Sequence, residues 1–210
     1  MKLSSLKTLL LVSSLALCSS VTASTIGVTT TPGDRIYTHG DWILGYSFQV
    51  NTSIEATALG LYDHNGDGLN GDHDVGLWDS SGNLLASTTV HAGTGGILVS
   101  DYRFTAISAV LLNAGSVYYV GATIMGNDHD EWFEDAASIV SAAEITYVAR
   151  QFTTSSGSLV FPASSGSGVT GYFGANFLFG ASSVPDQGSS LLLLLPALGA
   201  LAVSASRRRR

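Results

Sequence analysis

From Trp42 to Val50 the chain alternates Trp42, Leu44, Tyr46, Phe48 and Val50 with Ile43, Gly45, Ser47 and Gln49. Side chains repeat every two residues on a strand and every 3.6 on a helix, so this period fits a strand with a distinct inner face. Further strand-like runs cover 54–62, 74–79, 83–91, 97–105, 117–125, 143–152 and 169–180. Turn-forming clusters separate them: Ser80-Ser81-Gly82-Asn83, Ala92-Gly93-Thr94-Gly95-Gly96 and Asn113-Ala114-Gly115. With no long amphipathic helix, the pattern predicts an all-β fold, a single β-sandwich of jelly-roll or Ig-like type over residues 24–183. One segment competes: Glu131 to Ala143, with an acidic start and several alanines, reads as a short helix. The Ser- and Gly-rich stretch 153–168 reads as a mobile loop or long turn.

Charge narrows the function classes. Six of the nine basic residues are Lys2, Lys7 and Arg207 to Arg210, at the two ends. Between residues 24 and 183, fifteen acids face only Arg35, Arg103 and Arg150, a formal charge of −12 with no lysine. A surface of that sign repels a phosphate backbone, which excludes nucleic-acid binding by phosphate neutralisation. Hydrophobic residues still make up 45% of the chain and charged ones 12%, so a packed core is within reach of the composition. The single cysteine, Cys18, rules out an intramolecular disulfide.

The ends read as addresses. Lys2 and Lys7 precede an apolar run from Thr8 to Cys18, and Val21-Thr22-Ala23 places small residues before a cleavage point after Ala23. That is the three-part pattern of a secretory signal peptide, residues 1–23, read by the secretory translocon and signal peptidase. At the other end, Val184-Pro185-Asp186-Gln187-Gly188-Ser189-Ser190 leads into an apolar stretch, Leu191 to Ala205, and four arginines. Fifteen apolar residues give a helix of roughly 22 Å, short of a hydrocarbon core of about 30 Å. With uncharged flanks, from about 188 to 206, the segment is long enough to span as a transmembrane helix. The arginines stay cytoplasmic by the positive-inside rule, which places residues 24–183 outside and agrees with the N-terminal signal.

A short proline motif, one hydrophobic helix and a terminal arginine cluster resemble the PEP-CTERM sorting signal. Within VPDQGSS, Val184, Pro185, Asp186 and Gly188 match the VPDSG variant, while Gln187 and Ser190 depart from it. The resemblance implies transient anchoring in the inner membrane of a Gram-negative bacterium and processing by an exosortase. It further implies delivery to the cell surface or extracellular matrix, in association with exopolysaccharide. A plain tail anchor is the alternative; it retains the arginines in the mature protein, whereas exosortase processing removes them. The segments GYSFQV (45–50), ALGLYDHNGDGL (58–69), HDVGLWDSSGNLLASTTV (73–90) and DYRFT (101–105) also resemble a domain of unknown function common in exported PEP-CTERM proteins, with GYFGANFLF (171–179) as a last strand. That resemblance implies a β-sandwich and supplies no catalytic residues.

Two acidic loops carry the candidate chemistry. In Asp63 to Asp74, Asp63, Asn65 and Asp67 fall at positions one, three and five, with Leu69 offering its carbonyl and Asp74 at twelve. Calcium takes six to eight oxygens, and a loop of alternating Asp and Asn with glycine at the turn can wrap it, as in an EF-hand or dockerin loop. The departures are Asp74 in place of a bidentate Glu, and a strand-like run directly after it. The bland alternative is a hairpin whose Asp and Asn side chains cap their own turns. The second loop, Asp128 to Asp135, sets Glu131, Glu134 and Asp135 around Trp132. Trp132 with Glu131 offers an aromatic platform and a carboxylate for a sugar, and paired carboxylates are also the machinery of glycosidases. His64, His73 and His129 lie in the same loops, but with cysteine absent the acid-rich composition favours a hard cation. No nucleophile elbow, zinc-protease or phosphate-loop motif occurs. The sequence therefore reads first as a non-enzymatic exported surface or matrix protein, second as a carbohydrate-binding module, and third as a glycan-active enzyme.

Overall fold

The computed structural model describes residues 24–32, 36–166 and 170–182. The expected signal peptide, transmembrane helix and sorting motif lie outside the described residues. Within them the chain is all-β, with four antiparallel sheets and one short 3-10 turn at His64–Gly66. No described helix is long and apolar enough to cross a membrane.

The five-stranded sheet runs in the order β1 (Thr25–Ile26), β16 (Ala175–Ala181), β5 (Ile54–Tyr62), β9 (Tyr102–Leu112) and β8 (Ile97–Val99). The six-stranded sheet runs β14 (Ser164–Ser165), β13 (Ile145–Thr154), β4 (Asp41–Val50), β10 (Val117–Met125), β6 (His73–Asp79) and β7 (Leu84–Val90). A three-stranded sheet joins β15 (Tyr172–Phe173), β11 (Trp132–Glu134) and β3 (Ile36–Tyr37), and a two-stranded one joins β12 (Ser138–Ser141) to β2 (Val28–Thr31).

The two large sheets share one aromatic core. Phe48 of β4 stacks on Phe177 of β16 with centroids 4.6 Å apart, and Leu44, Val50, Leu59, Leu61, Val75, Leu77 and Val120 are buried in the same cluster. The Tyr46 hydroxyl donates to Asn176 Oδ1 at 2.9 Å, and Asn176 Nδ2 donates to the Val28 carbonyl at 2.7 Å. A fully buried amide thus ties β16 to β4 and β2, satisfying groups that would otherwise be stranded away from water.

The alternation expected in β4 holds for the inner face, but the other face is covered too. Ile43 and Ser47 are as buried as Tyr46 because the segment between β13 and β14 lies over that part of the sheet. Phe161 packs edge-on against Tyr119 (4.9 Å) and Trp78 (6.2 Å). The Gln151 amide, with its nitrogen turned to this segment, donates to the carbonyls of Pro162 (3.2 Å) and Ser164 (3.1 Å) and accepts from Ser47. Beneath it, β4 and β10 approach so closely that a Cβ on Gly45 would stand 1.9 Å from the Val120 carbonyl oxygen, so only glycine fits.

Three sequence expectations change. Residues 131–143 are not helical: Phe133 is fully buried and pairs with Ile36 and Phe173, and Ser138 to Ser141 pair with β2, so cross-strand partners override the local alanine content. The run 97–105 divides into two strands at Ser100 and Asp101, whose φ angles of 50° and 60° make the hairpin turn between β8 and β9. The last run breaks between β15 and β16 at Gly174.

Because Phe177 fills the centre of the shared core, Phe177→Ala is expected to destabilise the domain by about 3–5 kcal/mol. The half-exposed Val148→Ala change is expected to stay within about 0.5 kcal/mol, both read from denaturant unfolding.

Candidate functional site

The three-stranded sheet builds an aromatic cleft at one end of β4 and β13. Along β11 the side chains alternate. Phe133 enters the core beside Tyr62 and Phe173, while Trp132 and Glu134 face the cleft. Trp132 stacks on Tyr37 (4.7 Å, 24°) and meets Tyr172 edge-on at 5.9 Å; Phe152 stands perpendicular to Tyr172 at 5.5 Å and packs against Trp42. The cleft measures about 890 Å³, and its rims carry His39, Asp41, Glu134, Thr154 and Ser155. Tyr37 donates its hydroxyl to Glu134 Oε1 at 2.6 Å, the Trp132 indole N–H donates to the His39 carbonyl at 3.0 Å, and the Arg150 guanidinium sits 5.0 Å over the Tyr172 ring. These contacts hold the rings in place. A concave surface of half-buried rings with a few convergent polar groups is the usual form of a small-ligand site.

Trp132 lies in this cleft but only 6% exposed, with Tyr37 over one face; the more open walls are Trp42, Tyr37, Phe152 and Tyr172. Glu131, its sequence neighbour, opens elsewhere. It lines a smaller polar cleft of about 260 Å³ and stands 3.3 Å from His64 Nδ1. Asp135 adopts a left-handed backbone (φ 56°) and accepts from the Thr170 N–H. The acidic cluster of the second loop is therefore dispersed: Glu131 and Glu134 line different clefts, and Asp135 lines neither.

The first loop is organised around an arginine. Asp63 is buried; its Oδ1 accepts from Gly68 N at 3.0 Å, and its Oδ2 from Arg103 Nε at 2.7 Å with Arg103 Nη2 also against it. The same guanidinium donates to the carbonyls of Thr94 (2.6 Å) and Gly66 (3.3 Å), so one buried cation closes two turns. The Leu69 carbonyl accepts from Gly93 N at 2.7 Å, and Asp74 accepts from the Thr89 hydroxyl at 2.7 Å on β6. Asn65 and Asp67 are exposed and line the polar cleft with Asp63 and Leu69, whereas Asp74 does not. On the cleft wall, burial and then the carboxylates of Asp101, Glu131 and Asp63 push the Tyr62 phenol up to about 12, so it remains a neutral hydroxyl, 2.9 Å from His64 Nδ1.

Sequence reasoning missed Arg103 and the Trp42 cleft. A signal existed for Arg103: it is one of three bases in an acidic domain and lies inside a strand-like run, between Tyr102 and Phe104, where an unpaired arginine is untenable. Residues 29–177 match a family described as a domain of unknown function, DUF4082. The chain belongs to the DUF4082 family. The match takes in both loops and every strand of the aromatic cleft, well beyond the segments that carried the sequence resemblance. Comparison of this DUF4082 chain with curated proteins finds no match.

Breaking the buried pair leaves one charge uncompensated. Arg103→Met is expected to cost about 3–5 kcal/mol, and adding Asp63→Asn to recover a large part of it, measured as a double-mutant cycle in urea.

Proposed function

We propose that this protein is an exported surface or extracellular-matrix component, processed at its VPDQGSS motif, whose β-sandwich domain of residues 24–183 binds a carbohydrate without catalysis. The observation that carries the binding reading is the aromatic cleft. Its half-buried rings of Trp42, Tyr37 and Tyr172 present apolar faces suited to the C–H faces of a pyranose, while Asp41, Glu134 and Thr154 on the rims suit its hydroxyls. An acidic, lysine-free domain suits a neutral glycan better than an anionic one. The terminal segments support export, and their resemblance to exosortase substrates supports an exopolysaccharide as the ligand class.

Hydrolysis by the cluster of Glu131, Glu134 and Asp135 is disfavoured because its carboxylates are engaged separately. Glu134 accepts from Tyr37 inside the cleft, while Glu131 belongs to the other cleft, beside His64. A glycosidase needs two carboxyl groups flanking one bond.

Titration calorimetry of the protein against neutral oligosaccharides from a glycan array tests the reading. Binding is expected, and Trp42→Ala is expected to weaken it at least tenfold, about 1.4 kcal/mol. A purely structural matrix role predicts no specific glycan; that result, or full affinity in Trp42→Ala, would overturn the proposal.

A further inference from the structure

Away from the aromatic cleft, one fully buried histidine faces two carboxylates. His73 opens β6, and its Nδ1 lies 2.6 Å from the Thr123 carbonyl on β10. A carbonyl oxygen only accepts, so Nδ1 carries the proton and Nε2 is the free end of a neutral ring. Nε2 points at Asp130 Oδ2 (2.9 Å) and Asp128 Oδ2 (3.6 Å), both carboxylates nearly buried. In that tautomer a lone pair meets two anions, an arrangement that needs a positive charge between them.

A proton on Nε2 compensates only one of the two carboxylates. The described arginines are committed elsewhere, Arg103 to Asp63 and Arg150 over Tyr172, and the domain has no lysine. A divalent ion with a neutral imidazole balances both. The geometry suits it: the three ligand atoms lie within 4.8 Å of one another, and ligands at bonds of about 2.0–2.1 Å in a tetrahedral zinc site stand about 3.3 Å apart. The supporting contacts have the form that orients metal ligands. The backbone carbonyl fixes the imidazole; Asn70 N and Gly71 N each donate to Asp130 at 2.8 Å; Asp130 N donates to Asp128 Oδ1 at 3.1 Å. Gly71 lets the loops meet, since a Cβ there would come 2.7 Å from Asp128 Cβ. Asp130 also lines the polar cleft, which gives an ion a route in.

We propose that His73 Nε2, Asp128 and Asp130 form a site for a divalent metal ion of the zinc type, which staples the start of β6 to the loop after β10. One nitrogen with two carboxylates suits zinc and its first-row neighbours; calcium wants six to eight oxygens. Binding displaces any proton held on Nε2 into solvent, leaving the ring neutral.

The test uses the untagged full chain in detergent, stripped with chelator and titrated with zinc, cobalt(II) or calcium chloride. One zinc per chain is expected to bind and raise Tm, and cobalt(II) to give visible absorption bands that one equivalent of zinc abolishes. Asp128→Asn is expected to weaken zinc at least tenfold while leaving the Tm of the metal-free protein within about 3 °C of the parent. Failure of the parent chain to bind zinc at millimolar concentration would overturn the proposal whatever the variant does. Zinc affinity unchanged in Asp128→Asn, or binding of calcium alone, would equally overturn it.

Discussion

The contact between β4 and β16 is the interaction on which the rest of the structure depends. Phe48 on Phe177 and Tyr46 on Asn176 hold the two large sheets in register, and every other feature hangs from strands fixed by that contact. Its apolar part supplies much of the driving force, since a fully buried phenylalanine is worth about 1.5–3 kcal/mol relative to an exposed one. Its polar part is about uniqueness: the Asn176 amide has partners on β4 and β2 at once, and a sheet shifted by one residue would strand them. The aromatic cleft follows from the same frame. Phe133 and Phe173 stack into the core at 5.2 Å, and strand alternation then obliges their neighbours Trp132, Glu134 and Tyr172 to face outward beside β4.

What was legible in the sequence was what period two reports. The runs 54–62 and 117–125 coincide with β5 and β10, and 42–50 with β4, because each buries a regular inner face. Short strands were not legible. Trp132–Glu134 is three residues long, and what makes it a strand is Ile36 and Phe173, 97 and 40 positions from Phe133 along the chain. The Asp63 loop shows the limit of spacing as a guide to a site. Its oxygens fall at loop positions that suit calcium, yet Asp63 turns to Arg103, forty residues away, and Asp74 enters a strand. The cleft walls were out of reach for the same reason: Trp42, Tyr172 and Phe152 become neighbours only once β4 has paired with β13 and β15, of another sheet, has packed beside them.

Scarcity of positive charge organises the polar interior. Between residues 24 and 183 fifteen acids share three arginines, and the two arginines among the described residues are both buried. Arg103 sits between Asp63 and two turn carbonyls, and the Arg150 guanidinium stands over the ring of Tyr172. Exposed acids such as Asp79 manage with hydrogen bonds instead: the Asn83 side chain and the backbone N–H groups of Asn83 and Ser81 hold its carboxyl below the usual range. His73, between two carboxylates that neither described arginine pairs with, is where this arrangement leaves a charge to be supplied.

The glycan site proposed for this domain is the aromatic cleft. The chain has three tryptophans, and the fold separates them: Trp42 and Trp132 line the cleft, while Trp78 packs under Phe161 on the covered face of the six-stranded sheet. Nitrogen–proton correlation spectra resolve one indole N–H signal for each. Titration with a neutral oligosaccharide is predicted to move the Trp42 and Trp132 signals and leave that of Trp78 in place. Signals that all stay fixed at saturating sugar, or movement confined to Trp78, would contradict the account.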